Sequence, residues 1–571
     1  DSPFMSRGNF GIGATASRHY NAPYFSANDP EDRNNRQFAG SFSFYSTTAK
    51  TGRHDVKIGA EHFRSWRTGG NSQSATGYVF LTDYQTANGK PVVDADGHPI
   101  PVWTPAANGS RTRIQQWLAY PGSTLNINTR SVYAQDRWQI NNRLTADLGL
   151  RYEDVKSDAT GDIVGADTTT WLPRLGIAWD IQGDGRSVAQ ATYGYYSGRF
   201  TERAFARNTN VGSPSRVDLS YIGPAGVGRN FAPGYDLSNY VITGGNFPTA
   251  NVFFDPDLTS SKTDEFTLAF GRQLRRGYTK VTYTWRRTDA FIEDFINDPT
   301  AAGKVNVVRD GVNYGTFDAV TYRNTDLPRR EYQALQFEAR ADVLNGRFPV
   351  QGHYTVQLKN HGNFEGEAAN QPGNPSIWMD YPEMFTEERY YPYGRLDEFQ
   401  RHKFRLWTTY VQDLGRYGSI DISPLWRVNS GLTYSLAASS VGMSAIQVAA
   451  NPGYERANTT TATLFFGERG SENFNGYGML DVAVRYGVPV WKTVQPWIQA
   501  QVFNALNNRK LIQWNTTITP DPASPLDSIG QRTGYIKDAN FGTATLNTHY
   551  PVWSSGESGA RTFRVAFGIR F

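Results

Sequence analysis

The side chains that could do chemistry in this 571-residue chain are numerous but not arranged for catalysis. Its eight histidines are scattered without metal-ligand spacing, so no metal is assigned. The acidic runs DPDL (255–258) and PEMFTEE (382–388) carry oxygen ligands, yet they lack the spaced oxygens and glycine of a calcium loop. There is no cysteine, which excludes a thiolate metal site, a cysteine nucleophile and a disulfide scaffold. Serine, histidine and aspartate occur, but no G-x-S-x-G elbow frames a nucleophile. GDGR (183–186) has the composition of a phosphate loop but lies between two strand-like segments rather than before a helix, which predicts a turn. No cofactor and no enzymatic activity are implied.

What remains is the chemistry of binding. Two aromatic-rich stretches, SIWMDYPEMF (376–385) and ERYYPYGRLDEF (388–399), present Trp378, Tyr381, Tyr390, Tyr391 and Tyr393. Such rings give large contact area at low entropy cost, so they are candidate ligand contacts. The competing reading, favoured about two to one, is an aromatic girdle or loop-on-loop packing. The stretch 199–262 carries Arg199, Arg203, Arg207 and Arg216, which could draw in an anionic ligand or simply be solvated charge.

The elements that must position these residues are strands. In the terminal RTFRVAFGIRF, Phe563, Val565, Phe567, Ile569 and Phe571 share one face, and Arg564 and Arg570 share the other. That period of two marks a strand whose faces meet different surroundings. About sixteen segments alternate in this way, each near ten residues. They include NFGIGATASRH near the start, QFAGSFSFYS, RLTADLGLRYE, TDEFTLAFGRQL, KVTYTWRRTD, REYQALQFEARAD, HKFRLWTTYVQD and GMLDVAVRYG. Aromatics at 14% and 55 glycines suit strands and turns. Mean hydropathy is −0.54 and no apolar run is long enough for a helical span. A transmembrane barrel, by contrast, hides its lipid face in alternate residues of short strands.

The connections point the same way. Tight, Gly/Asn/Asp-bearing links such as TAKTGR, QINNR, IQGDGR, QLRRG and DLGRYG alternate with long stretches at 67–122, 199–262, 360–400, 436–475 and 505–560. Loops this long are rare in compact soluble domains. Short periplasmic turns and long extracellular loops are the build of an antiparallel up-and-down outer-membrane β-barrel. On that reading the apolar face of the last strand meets lipid, Arg143, Arg151, Glu153, Glu265, Arg564 and Arg570 face the lumen, and Phe571 sits at the periplasmic rim. With net charge +4 and well-mixed signs, no nucleic-acid footprint is expected.

Five segments, in order, resemble the barrel of a TonB-dependent outer-membrane receptor, specifically the Oar-like branch. They are NTRSVYAQDRWQINNRLTADLGLRYE, WLPRLGIAWDIQGDGRSVAQATYGYYSGRF, FDPDLTSSKTDEFTLAFGRQL, QVFNALNNRK and RTFRVAFGIRF. The resemblance implies a bacterial outer-membrane location, a twenty-two-stranded barrel around an N-terminal plug, and a TonB-type energiser acting through that plug. The chain departs from the pattern: it has about sixteen strand segments, no plug-like segment and no energiser-contact motif. Residues 1–571 are therefore expected to be the C-terminal barrel portion of a larger receptor, whose extracellular loops bind an unknown ligand and whose other surroundings are bilayer lipid and lipopolysaccharide. Phe563, Val565, Phe567, Ile569 and Phe571 resemble the signal read by the outer-membrane insertion machinery. A passive porin-like channel and a surface adhesion or assembly platform are the competing expectations.

Overall fold

The computed structural model describes residues 29, 31–70, 77–88, 90–97, 99–105, 112–200, 202–205, 209–211, 214–248, 250–296, 303–343, 348–365, 388–450, 461–490, 494–551 and 560–570. It is almost wholly β. One large sheet carries the architecture, and every ladder within it is antiparallel. Its staves in chain order are β1 (Asp32–Thr48), β2 (Gly52–Thr68), β3 (Thr124–Gln139), β4 (Leu144–Ala159), β5 (Ile163–Asp180), β6 (Ser187–Ser197), β7 (Lys262–Leu274), β8 (Gly277–Asp289), β9 (Arg330–Val343) and β10 (Phe348–Gly362). They continue as β11 (His402–Thr408, resumed at Tyr410–Asp413), β12 (Ser419–Asn429), β13 (Tyr477–Gly487), β14 (Gln495–Phe503) and β15 (Thr562–Arg570). Each pairs with its chain neighbours, the up-and-down order of a membrane barrel.

The register sorts the side chains onto two faces. Across β1 to β5 one row reads Phe42, Ile58, Ala134, Leu150, Pro173, and across β12 to β15 another reads Ile422, Val484, Ala500, Val565. This apolar face is the exposed one: Phe567 is 87% exposed and Phe42 70%. Large apolar side chains left open over a whole sheet face need a solvent other than water, and lipid supplies it. Phe563, Val565, Phe567 and Ile569 lie on this outward face; Phe571 lies outside the described residues. The opposite face carries Glu61, Arg151, Glu153, Glu265, Arg286, Arg405, Arg427, Arg564 and Arg570, and it borders the lumen.

Among the described residues fifteen staves stand, and the expected segment NFGIGATASRH lies outside them. Two expectations change. Strands in the first third are far longer than ten residues; β5 has 18. The alternation of short and long links breaks once, since β4 and β5 are joined by residues 160–162 alone at the end where the other links are long. Elsewhere the tight links hold. At IQGDGR the Asp180 carboxylate accepts from the backbone N–H of Gly183 (3.0 Å) and Gly185 (2.6 Å), both at positive φ, so the sequence closes as a turn. At Gly277 (φ +150°) an added Cβ would lie 1.9 Å from the Arg340 carbonyl, so only glycine lets β8 start against β9. Among the described residues β1 and β15 each have one ladder partner in this sheet, and no ladder joins them.

Candidate functional site

The long loops carry their own small sheets and pack over the luminal side of the wall. Strands Tyr78–Leu81 and Arg113–Leu118 of one loop form a four-stranded sheet with Ser215–Tyr221 and Tyr240–Asn246 of another, joined by the pairing of Arg113–Leu118 with Ser215–Tyr221. Trp103, Tyr221 and Tyr240 are buried between these loops, with ring centroids 5.1–6.2 Å apart. Below them, Leu125, Ile127 and Val155 sit on the luminal face of β3 and β4 where those strands run past the membrane. They form one apolar cluster with Phe200, Phe205, Val252, Leu258 and Ile292 from the loops. Alternation thus persists along these long strands, but the luminal residues turn from polar to apolar where loops cover them.

Beneath this cluster the wall is charged. Arg151 donates from Nε to Glu153 (2.6 Å) and from Nη2 to Glu61 (3.0 Å) and the Ser131 hydroxyl (2.7 Å). Arg199 pairs with the other Glu61 oxygen (3.1 Å), and its guanidinium lies 4.4 Å over the Phe63 ring. Gln37 completes the set with a 2.8 Å donation to Glu61. Charge-assisted bonds among partly shielded groups are stronger than neutral ones, so Arg199 fixes the start of the loop 198–261 to the barrel wall. A cavity of about 210 Å³ opens beside this network, lined by Arg151, Glu153, Arg174, Arg199, Phe200 and Thr129, and the Thr129 hydroxyl is buried there without a hydrogen-bond partner.

The predicted aromatic contacts separate into different roles. Tyr390 is 1% exposed, and its hydroxyl donates to Gln447 Oε1 (3.0 Å). Gln447 also closes a capping box with Ser444 and accepts from Gln531 (3.0 Å), so three loops meet at one side chain. Burial raises the pKa of both Tyr390 and Tyr391, keeping their hydroxyls neutral. Tyr390 is therefore an anchor between loops, the packing role weighed above. Tyr393 is 37% exposed; its hydroxyl donates to Glu331 (3.2 Å) and Arg329 lies 4.5 Å over its ring, and the register of Glu331 with Arg287 and His361 puts it on the outward side of the wall. Trp378, Tyr381 and Arg207 fall outside the described residues, and Arg203 falls in the short helix Glu202–Phe205. Arg216 is tied to Asp218 (2.8 Å) and stacks over Trp117.

Two groups went unnoticed in the sequence. Arg469 is buried, donates to the carbonyls of Pro392 (2.8 Å) and Asn363 (3.1 Å), pairs with Glu365 and stacks 4.5 Å over Phe465. Burial lowers its pKa, and the Glu365 carboxylate opposes that shift. The second group is a cationic stretch of lumen wall, where His353, Arg405 and Arg427 stand in one row and Lys403 in the next. Arg427 pairs with Asp481, while Arg405 bonds only the neutral Asn429 (2.6 Å) and the Phe404 carbonyl (2.8 Å). The period of Lys403, Arg405 and Trp407 within HKFRLWTTYVQD was the available signal. Among the described residues no group of three or more His, Asp and Glu converges as a metal site.

This geometry, a lipid-facing up-and-down wall, a charged lumen and loops knitted over it, is that of a family whose sequence model, "TonB dependent receptor-like, beta-barrel", matches residues 5–508. The chain belongs to that family. It is a β-barrel protein of the bacterial outer membrane. Among solved structures it is similar to the outer-membrane transporter YddB from Escherichia coli, with 12% identity, a TM-score of 0.50, and coverage of 85% of this chain and 52% of that one. It is also similar to the siderophore receptor PiuA from Acinetobacter baumannii (12% identity, TM-score 0.45, 95% and 56% coverage). A third is BauA, the ferric preacinetobactin receptor of the same species (11%, 0.42, 85% and 52%). At such identities the likeness concerns the fold. The chain spans about half the length of these relatives. A search of curated protein sequences returned no match.

Proposed function

We propose that this chain is the barrel of an energised uptake receptor of the Oar-like branch, the C-terminal part of a larger protein whose plug lies outside the chain. The extracellular loops bind a ligand, with the Arg199 cavity as the contact on the described luminal surface, and Tyr393, Trp378, Tyr381, Arg203 and Arg207 as further candidates. A TonB-type energiser acts through the plug, and the barrel serves as rigid wall and vestibule. The observation that carries this reading is the Glu61–Arg151–Glu153–Arg199 network, which ties a ligand-side loop directly to charged wall facing the lumen. A plug docked there would exchange hydrogen bonds with the same groups. Phe563, Val565, Phe567, Ile569 and Phe571 act as the address read by the insertion machinery.

Uptake by cells carrying the complete receptor tests the proposal. Collapse of the inner-membrane proton gradient is expected to abolish ligand accumulation while leaving surface binding intact. A stable open pore in planar bilayers, with no energiser present, would favour the passive channel instead. Retained uptake after deletion of the loop segments, with loss of cell-surface attachment, would favour the adhesion platform.

A further inference from the structure

On the outward face, the apolar band of β1 to β3 ends in a cluster of cations. Arg36 on β1 stands directly opposite Arg64 on β2, and one row lower His62 on β2 stands opposite Arg130 on β3. Side chains opposite one another across an antiparallel ladder have Cβ atoms about 4.5–5.5 Å apart, and like charges there repel. On the luminal face the comparable pair, Arg33 opposite Arg67, is bridged by Glu31, which bonds both. The outward pair has no such bridge. Arg64 bonds the neutral Asn126 (2.7 Å) and lies 5.0 Å over Trp66, and among the described residues Arg36 and Arg130 have no ion-pair partner. The nearby acids leave the cluster with a cationic excess: Asp167 is taken by Lys156 (3.0 Å), Asp158 accepts from Asn126 (3.0 Å) rather than from an arginine, and Asp154, opposite Arg130, is left against Arg36, Arg64 and Arg130. The His62 Nε2 is buried without a hydrogen-bond partner.

Immediately below lies a groove of about 700 Å³ on the same outward face. Its floor is Gly40 and Ala60, and its walls are Phe38, Val132 and Tyr152. The Gly40 position has open space where a Cβ would point, so the groove exists because two small residues face each other across the ladder. Height fixes its surroundings. From His54, which stacks on Trp138 beside the tight turn, to Arg64 is ten residues along β2. At about 3.4 Å per residue and about 40° of tilt this is roughly 26 Å, the height of an outer-membrane apolar band. The cations therefore stand at the extracellular boundary of the bilayer and the groove runs down into the acyl region.

We propose that this groove binds a phosphorylated, multiply acylated lipid of the outer leaflet, with a phosphate against Arg36, Arg64 and Arg130 and an acyl chain lying over Gly40 and Ala60. The anion relieves the unbridged cation pairs, and the chain fills the gap that the two small residues leave. The inference rests on the outer-membrane placement and not on the transport proposal.

The test is lipid retained by the full chain purified from outer membranes in mild detergent, counted by native mass spectrometry with lipid A as the probe. In the double variant Arg36→Gln/Arg130→Gln, bound lipid A is expected to fall about tenfold. Arg137→Gln, an exposed luminal cation near the opposite end, is expected to leave it unchanged. Enzymatically dephosphorylated lipid A is expected to exchange in poorly. Gly40→Leu, which fills the groove without touching a cation, is expected to expel the lipid and keeps the test available if the arginine variant fails to fold. Equal retention in the double variant and wild type, or equal uptake of the dephosphorylated lipid, overturns the proposal.

Discussion

The first five staves and the last four solve the same problem differently. β1 to β5 run 16–18 residues, well past the membrane, and their luminal faces become the floor on which loops pack. β12 to β15 run only 9–11 residues and stop near the bilayer boundary. Above them the loop segments 388–401, 430–450, 461–476 and 504–551 hold one another through the half-buried Arg389 and the buried Gln447 and Arg469. One side of the vestibule is thus built as an extension of the wall by hydrophobic burial, and the other as loop on loop, where these polar groups surround a smaller apolar cluster of Tyr390, Ala462, Leu464 and Ile529. Ladder hydrogen bonds and close packing resist local opening more than isolated polar clips do.

Breaking the apolar side gives the largest effect. Phe205 is 1% exposed and its ring lies 5.4 Å from both Phe200 and Phe254. Phe205→Ala is expected to cost about 3–5 kcal/mol in the loop 198–261, read as protease cleavage within that loop at a concentration the wild type withstands. Thermal unfolding of the membrane wall should hold. A wall that melts together with the loop would mean that roof and barrel form one cooperative unit.

On the polar side, Arg469→Ala leaves two carbonyls and Glu365 without their donor. Orphaned buried polar groups cost about 1–3 kcal/mol each, but Glu365 is partly exposed and recovers water, so about 2–3 kcal/mol in total is expected. Hydrogen exchange should rise in residues 389–396 and 464–470 and stay unchanged in β3 and β4. Faster exchange in those long strands would erase the distinction between the two sides.

Alternation made the fold readable, because a wall between lipid and a wet lumen forces period two on every strand, as in Phe563 to Ile569. It said little about where strands stop. Leu125, Ile127 and Val155 continue the luminal parity beyond the membrane, and only the loops that cover them explain their apolar character. The site was less legible for a related reason. Within ERYYPYGRLDEF, Tyr390 and Tyr393 look equivalent, yet one is enclosed by Gln447, 57 residues away, and the other lies half-exposed against Glu331 on the outward side of the wall. Arg199 was found by its charge, but its tie to Glu61, 138 residues earlier, depends on register.

The junction between wall and roof gives a smaller effect. Glu61→Gln removes the charge that Arg151 and Arg199 share, and about 1–2 kcal/mol is expected from a partly shielded pair of contacts. A double-mutant cycle with Arg199→Gln should return a coupling near 1 kcal/mol. Additive losses would mean that Arg199 is held by its stacking on Phe63 alone.

The smallest structural effect is expected at Tyr393→Phe, where the exposed hydroxyl exchanges a 3.2 Å bond to Glu331 for water. Stability should change by no more than about 0.5 kcal/mol, as for most surface substitutions. Ligand affinity is the sharper readout. If Tyr393 contacts cargo, Tyr393→Ala should weaken binding to whole cells at least tenfold while Tyr390→Phe, which removes only a buried clip to Gln447, alters loop exchange more than affinity. The reverse pattern would move the ligand contact off the outward rim and onto the luminal side, where Arg199 and its cavity remain.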